Sequence, residues 1–338
     1  MPSLRRRALV LAAGRGERLR PLTATHPKPL LTVAGRPLLA WTLERLRAAG
    51  CEAVAINLHH LGSRIRDTFG DRFRGMPLVY SEERELLGTA GALPPLRAFL
   101  EQADRVLVVN GDSLCRWPLE ILLAAHARRQ PAATLLLHRK ADPRAFGGGV
   151  ALEEDTITAF RPGSLAHLSA RRHLVFAGAQ VLEPELLARL PEGPGDLVTV
   201  LYEPLLAEGA PLAAVVTERL WHDLGTPRRY LDGVLDWTFR GSTRASRVVK
   251  GAEVDASATL RRTIVEAGAQ VDAEADLRSC VVMQGAKIGK GVRLNRSVVG
   301  PGATISAATQ AKTTLFTLQP ETSATRITKI SHRSRADG

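Results

Sequence analysis

Apolar and polar positions alternate in two textures along residues 8–240. Short aliphatic runs predict strands at Leu9–Ala13, Ala53–Leu58, Leu78–Tyr80, Arg105–Val109 and Ala133–His138. Between them, apolar residues recur at helical spacing over Leu38–Ala49, Leu61–Phe69, Thr89–Leu100 and Leu119–Arg129. Gly50 follows the first of these helices and is placed to cap it. Strand–helix alternation of this kind predicts an α/β fold whose sheet is mostly parallel. Ligands of such sheets bind beyond the carboxyl ends of the strands. Gly14 and Asp112 both lie just past predicted strand ends, so both are expected on that edge.

From about residue 246 the pattern changes. Aliphatic positions recur every 17 residues in three columns: Val254, Val271, Ile288 and Ile305; Leu260, Leu277 and Leu294; Val265, Val282 and Val299. Steps of six, five and six residues within a period predict a left-handed parallel β-helix, three short strands per coil, with about three coils. Residues 319–338 are polar and rich in Ser, Thr and Arg, the composition of a disordered tail. The expected organisation is therefore 1–240, 246–318 and a tail at 319–338.

Bulk composition adds limits. With 338 residues, 45% of them hydrophobic, the chain has material for two domains. The net charge is +12, and 39 of the 46 cations are arginine. These cations are scattered, without aromatic interleaving or an RNA-binding motif, so they indicate a small anionic substrate rather than nucleic acid. Cys51, Cys115 and Cys280 are odd in number and far apart, which fits a reducing cytoplasm and not a disulfide framework or a zinc site. The arginines before Ala8 superficially resemble a signal peptide, but the apolar run after them is short. No stretch approaches the ~20 apolar residues of a membrane span.

The richest chemistry lies in residues 9–31, LVLAAGRGERLRPLTATHPKPLL. The first strand runs into Gly14 and Gly16, where backbone N–H groups can form an anion-binding nest. Arg18 offers a bidentate fork for phosphate oxygens, and Lys28 a point charge. Pro27 and Pro29 flank Lys28 and predict a stiff, extended segment. The loop is not a Walker A motif, since no Gly-Lys-Ser/Thr follows Gly14 at the required spacing. Nor is it a dinucleotide fingerprint, since Leu19 occupies the third glycine position.

This loop resembles the signature of the sugar-1-phosphate nucleotidyltransferases, or NDP-sugar pyrophosphorylases, roughly L-A-A-G-x-G-x-R-L-x-P-L-T followed by K-P-L. The wording is most like that of mannose-1-phosphate guanylyltransferases. The resemblance implies a Rossmann-like nucleotide-diphospho-sugar transferase domain, with the β-helix as an accessory module. It implies nucleotide contacts from Leu11, Ala12, Ala13, Gly14 and Gly16, and catalytic roles for Arg18, Lys28 and Asp112. Asp112 in N-G-D and Asp223 in W-H-D-L-G-T-P resemble the family's Mg²⁺ ligands. ELLGTAGAL, residues 85–93, resembles the segment that lies against the base, with Gly88 and Thr89 opening a helix. Glu82, Glu83 and Glu85 precede it, and carboxylates accept from guanine's N1–H and N2–H₂ donors, which leans the reading toward GTP. A solvated acidic patch is the alternative.

Two further segments resemble the sugar-phosphate arm: FGGGVALEEDTITAFRPG, residues 146–163, and VFAGAQVLEPELL, residues 175–187. They assign sugar-phosphate contacts to Gly148, Arg161, Ala177 and Gly178. The family's Glu-Lys before proline is absent here, and Arg161 stands in the lysine position. The expected reaction is NTP plus sugar 1-phosphate giving NDP-sugar and pyrophosphate, best matched by GTP and mannose 1-phosphate. Uridylyl or thymidylyl transfer to another sugar is the first alternative, and a non-catalytic regulatory paralogue the second. An acyltransferase role for the β-helix is disfavoured because His332, the only histidine of the C-terminal region, lies beyond the repeats. The β-helix is expected to join copies of the chain instead.

Overall fold

The computed structural model describes residues 4–139, 141–146, 149–161, 172–319 and 321–330. Packing divides the chain into two units: Met1–Arg15 with Leu39–Trp221, and Gly16–Leu38 with His222–Gly338. The two units interleave in sequence. The segment carrying Arg18 and Lys28 packs with the C-terminal repeats rather than with the strand that precedes it.

The first unit is built on a ten-stranded sheet. At its centre Arg6–Leu11 lies parallel to Ala53–Leu58 on one side and to Arg105–Asn110 on the other. Ala8, Leu9 and Val10 are fully buried, as in a parallel strand covered on both faces. Met76–Glu82 extends the sheet in parallel beyond Ala53–Leu58. Arg172–Leu182 breaks the parallel pattern, running antiparallel between Arg105–Asn110 and Ala133–His138. Its register shifts between Phe176 and Gln180, a bulge centred on Gly178 at φ +79.

Helices Leu119–Arg129 and Gly62–Phe69 and strands Ala53–Leu58 and Ala133–His138 fall where the hydrophobic pattern predicts them. Three expectations are corrected. The first strand is Arg6–Leu11, so the loop begins at Ala12 and Ala13 is not in the strand. Leu78–Tyr80 is the middle of the longer strand Met76–Glu82. The helix expected over Thr89–Leu100 is three short pieces, Gly88–Gly91, Pro94–Leu96 and Arg97–Leu100. Pro94 and Pro95 remove two N–H donors and forbid a continuous helix.

The second unit contains a parallel β-helix. Its strands stack in three columns with the 17-residue register expected, for example Val254↔Val271↔Ile288↔Ile305. There are four stacked coils, not about three, because Ala311 pairs with Leu294 and Phe316 with Val299. Those two residues continue the columns in types that a search for Leu and Val passes over. One corner carries a polar column: Thr263, Cys280, Ser297 and Thr314 are all essentially buried. Each follows a left-handed residue (Arg262, Ser279, Arg296, Thr313) and donates to the backbone carbonyl two residues before it. Thr325–Lys329, within the segment expected to be disordered, forms a strand antiparallel to Thr314–Leu318. Residues 331–338 of that tail lie outside the described residues. Among the described residues no helix is long and apolar enough to cross a membrane.

Candidate active site

In the first unit, three parallel strands end side by side on one edge, with Leu11 opposite both Asn57 and Asn110. Gly14 follows this edge and is exposed, and a Cβ there would meet no atom within 4 Å. Gly111 and Asp112 follow Asn110, and Gly111 N–H donates to Leu11 O at 2.9 Å. A Cβ at Gly111 would lie 2.8 Å from Val10 Cγ1, so only glycine lets the Asp112 turn rest on the first strand. Asp112 is half-buried, and the Ser113 hydroxyl approaches its Oδ1 at 3.4 Å.

A buried polar relay crosses the same edge. Ala12 N–H donates to Asn57 Oδ1 at 2.7 Å, Asn57 Nδ2 donates to Glu83 Oε1 at 2.7 Å, and Leu87 N–H donates to Glu83 Oε2 at 3.0 Å. Asn57 is 3% exposed and Glu83 7%. Both oxygens of Glu83 therefore serve the protein, which corrects its expected place among acceptors for a base. Asn57 escaped the sequence reading because it sits at the end of an ordinary strand. Glu82 is exposed and paired with Arg66 at 2.9 Å, and Glu85 is exposed.

Gly88 takes φ +72, and a Cβ on it would lie 2.5 Å from Gly195 O. Gly91 likewise faces Gly193 O. These glycines seat the 88–91 turn on the 193–197 loop. Ala90 N–H donates to Gly195 O at 2.9 Å, and the Thr89 hydroxyl accepts from Leu197 N–H at 2.9 Å. The N–H of Ala90 is thus spent within the protein. Trp117 Nε1 donates to Ala177 O at 2.7 Å, so that carbonyl is engaged too. Arg161 pairs with Asp196 at 3.4 Å, and its N–H donates to Gly149 O. Hydrogen bonds from Thr199 and Val198, with Arg161 nearby, hold the Asp196 carboxyl below the usual carboxylate range despite its partial burial. Gly148 lies outside the described residues.

The second unit gathers charges from distant parts of the sequence. Lys28 opens a short 3-10 turn, Lys28–Leu30, with Pro29 as its second residue, rather than lying on an extended segment. It is 5% exposed, and its Nζ faces Asp223 Oδ1 at 3.7 Å. Arg229 Nη1 donates to Asp223 Oδ2 at 2.6 Å. A Cβ at Gly225 would lie 3.0 Å from Asp223 Oδ1 and 3.1 Å from Arg18 Nη2, so glycine is what lets Arg18 approach this turn. Thr226 then caps helix Pro227–Phe239, its hydroxyl accepting from Arg229 N–H at 3.2 Å, with Pro227 as the first helical residue. Four of the five residues of the D-L-G-T-P wording are thereby accounted for: Asp223 as carboxylate, Gly225 as gap, Thr226 as cap and Pro227 as helix start. Arg18, Lys28 and Asp223, each singled out in the sequence, lie around this one turn, and Arg229 is the member the sequence did not single out. Three cations around one carboxylate, one of them buried, make a strongly positive locus suited to polyphosphate.

Among the described residues no three His, Cys, Asp or Glu side chains group as a metal site. Asp112, in the first unit, and Asp223, in the second, each offer hard carboxylate oxygens of the kind that suits Mg²⁺. Lys28 stands beyond hydrogen-bonding distance of Asp223 Oδ1, so that oxygen keeps lone pairs for a cation.

Two family models match the chain. One described as nucleotidyl transferase covers residues 7–238, and one described as GlmU-like, C-terminal hexapeptide covers residues 235–313. A mannose-1-phosphate guanylyltransferase of Mycobacterium tuberculosis is 34% identical over 264 residues, covering 75% of this chain and 72% of that protein. The mannose-1-phosphate guanylyltransferase catalytic subunit beta of Drosophila pseudoobscura pseudoobscura is 30% identical over 232 residues, covering 68% of this chain and 61% of that one. HddC from Yersinia pseudotuberculosis, solved with GMP-PN, superposes with a TM-score of 0.58 at 19% identity over 68% of this chain and 99% of its own. A Bacillus anthracis protein assigned as a glucose-1-phosphate thymidylyltransferase and solved with sucrose gives 0.59 at 19%, over 68% of this chain and 94% of its own. The two structures share the fold.

Proposed function

The chain belongs to the nucleotidyl transferase family and is a sugar-1-phosphate nucleotidyltransferase; from that premise we propose that it joins GTP to mannose 1-phosphate, giving GDP-mannose and pyrophosphate. The observation that carries the mechanism is the buried Lys28 facing Asp223, with Arg18 beside the same turn. The choice of GTP and mannose 1-phosphate rests on the guanylyltransferase relatives and on the L-G-T-A-G-A-L wording of residues 87–93.

The nucleophile is a phosphate oxygen of the sugar phosphate, already anionic, so no general base is needed. It forms a bond to the α-phosphorus as the bond to the bridging oxygen breaks, and the electron pair leaves with pyrophosphate. The protein's task is to align anions that repel one another and to neutralise charge as it shifts. Lys28, buried and held by Asp223, is assigned to the phosphorus under attack. Arg18, exposed and fork-shaped, is assigned to the departing β- and γ-phosphates. A donor of this kind is worth roughly 3–4 kcal/mol of transition-state stabilisation. The glycine loop at Gly14 and Gly16 supplies backbone N–H groups to the triphosphate, and Arg161 the charge for the sugar phosphate. By the wording they share with the family's metal ligands, Asp112 and Asp223 are each assigned to Mg²⁺, which would supply charge neutralisation when bound. Pyrophosphate release measured for five nucleoside triphosphates against several sugar 1-phosphates tests the reading. GTP with mannose 1-phosphate is the pair expected to lead, and faster turnover of UTP or dTTP pairs would replace it.

A further inference from the structure

The segment between Arg18 and Lys28, and the hairpin that follows Lys28, rest on one column of the β-helix. That column is Glu266, Met283, Gly300 and Thr317, one residue per coil at the 17-residue period, and all four are buried. In the third coil Leu22 reaches this column: its Cδ1 lies 3.4 Å from where a Cβ on Gly300 would stand, ordinary contact distance. In the first coil the column carries a carboxylate. Glu266 is 2% exposed, and its Oε1 accepts from Gly35 N–H at 3.0 Å.

Gly35 is the tip of a two-residue turn. Ala34 and Gly35 both take positive φ (54 and 85), and the flanks pair Val33 with Arg36 and Thr32 with Pro37. A Cβ at Gly35 would lie 3.1 Å from both methyls of Val249, so the strap before the first coil closes on the same tip. The hairpin joins the Lys28 turn directly: Leu31 N–H donates to Lys28 O at 3.1 Å and Leu38 N–H to Leu31 O at 2.9 Å. On its other side the Tyr230 hydroxyl donates to Thr32 O at 2.7 Å, from the helix that carries Arg229. Burial pushes the Glu266 carboxyl up, and the Gly35 N–H pulls it back. A buried carboxylate costs stability unless its acceptors are used, so its single placement in this column calls for a role.

We infer that Glu266 is a positioning residue for the nucleotidyl transfer, so that the first coil of the β-helix is part of the apparatus that holds Lys28. The inference rests on the assignment of Lys28 to the reacting phosphorus. Loss of a single positioning contact that lets a catalytic group drift costs about 10-fold to 100-fold in rate.

The test compares Glu266→Ala with Glu266→Gln, which keeps an oxygen for Gly35 N–H, using GTP, mannose 1-phosphate and Mg²⁺. Glu266→Ala is expected to lose about 10-fold or more in kcat with both KM values within about 2-fold, and Glu266→Gln to restore most of it. In a Lys28→Ala background, Glu266→Ala is expected to add nothing. Hydrogen exchange at the Leu31, Gly35 and Leu38 amides should quicken in Glu266→Ala and not in Glu266→Gln. Wild-type kcat and exchange in Glu266→Ala, or an equal loss with and without Lys28, would overturn the inference. Should Glu266→Ala not fold, Glu266→Leu keeps the volume without the acceptor and carries the same expectation. If the wild-type protein turns over no substrate pair, the reading of Lys28 falls, and the exchange result alone decides whether Glu266 holds the hairpin.

Discussion

Asn57 donates from Nδ2 to Glu83 Oε1 at 2.7 Å while its Oδ1 accepts from Ala12 N–H at 2.7 Å. The direction of this relay is set by the backbone. Ala12 N–H can only donate, so the amide oxygen must face it and the amide nitrogen must face Glu83. Leu87 N–H, also donor only, takes the second oxygen of Glu83 at 3.0 Å. Position 83 therefore needs a group that accepts on both sides, which glutamate does and glutamine does not. Glu83→Gln is expected to cost about 1–3 kcal/mol, the price of a buried donor facing a donor, and to raise the nucleotide KM because the loops at Ala12 and Leu87 lose their tie. Urea unfolding and KM measured on that variant check both effects, and wild-type values would remove the relay from the account.

Lys28→Ala should separate chemistry from folding. Asp223 keeps its 2.6 Å bond from Arg229, so the D-L-G-T-P turn retains its anchor. A fall in kcat of about 10²–10³ is expected, with a thermal midpoint within a few degrees of wild type. Full turnover in the variant would refute the role assigned to this lysine.

A pH effect follows from a different part of the first unit. His126 is fully buried, its Nε2 3.0 Å from Glu183 and its Nδ1 2.8 Å from the Thr134 hydroxyl. Burial first, and Arg105 second, lower its pKa to about 4. Because the folded value lies below the unfolded one, the unfolded chain takes up the proton first as pH falls. The histidine thus removes stability between about pH 6.5 and pH 4, by up to ~3 kcal/mol. Burial raises Glu183, which contributes a slope of opposite sign above the ordinary carboxylate value. Comparing wild type with His126→Gln isolates the histidine: unfolding free energy against pH should be flatter in the variant across that window, and equal slopes would contradict the assignment.

The three cysteines are free and buried. Burial pushes the thiols of Cys51 and Cys280 up to about 12 and raises that of Cys115 as well. Thiolate is the reactive form, so native protein at pH 8 should resist iodoacetamide at all three positions and react at all three once unfolded. Mass-spectrometric labelling reads this directly, and rapid native labelling of any one would show its burial to be transient.

Much of this architecture was legible along the chain because local chemistry and tertiary role coincide there. Ala133–His138 carries the aliphatic run Leu135–Leu137 and lies buried along its whole length in the sheet interior. The 17-residue period encodes stacking that any aliphatic column reveals. Legibility failed where packing, not pattern, decides. Pro94 and Pro95 break a helix whose apolar spacing is sound. Ala311 and Phe316 continue columns in unexpected residue types, so a fourth coil was missed. At the site, Arg18, Lys28 and Asp223 stand in recognisable wording, whereas Asn57 and Glu266 matter through partners remote in sequence, and Arg229 through a side-chain bond to Asp223 one helical turn and a cap away. Glycines read as ligand-facing proved to be of two kinds. Gly14 has open space around its Cβ position, whereas Gly88 and Gly91 are required by the carbonyls of Gly195 and Gly193.

On the proposed function, the charges gathered at Asp223 carry nucleotidyl transfer. The most direct test of this role is steady-state pyrophosphate release from GTP, with and without mannose 1-phosphate, by wild-type protein and by Asp223→Asn in the presence of Mg²⁺. Release is expected to require both substrates in the wild type and to fall by at least about 10²-fold in the variant. Asp223→Asn turning over at the wild-type rate would contradict that role.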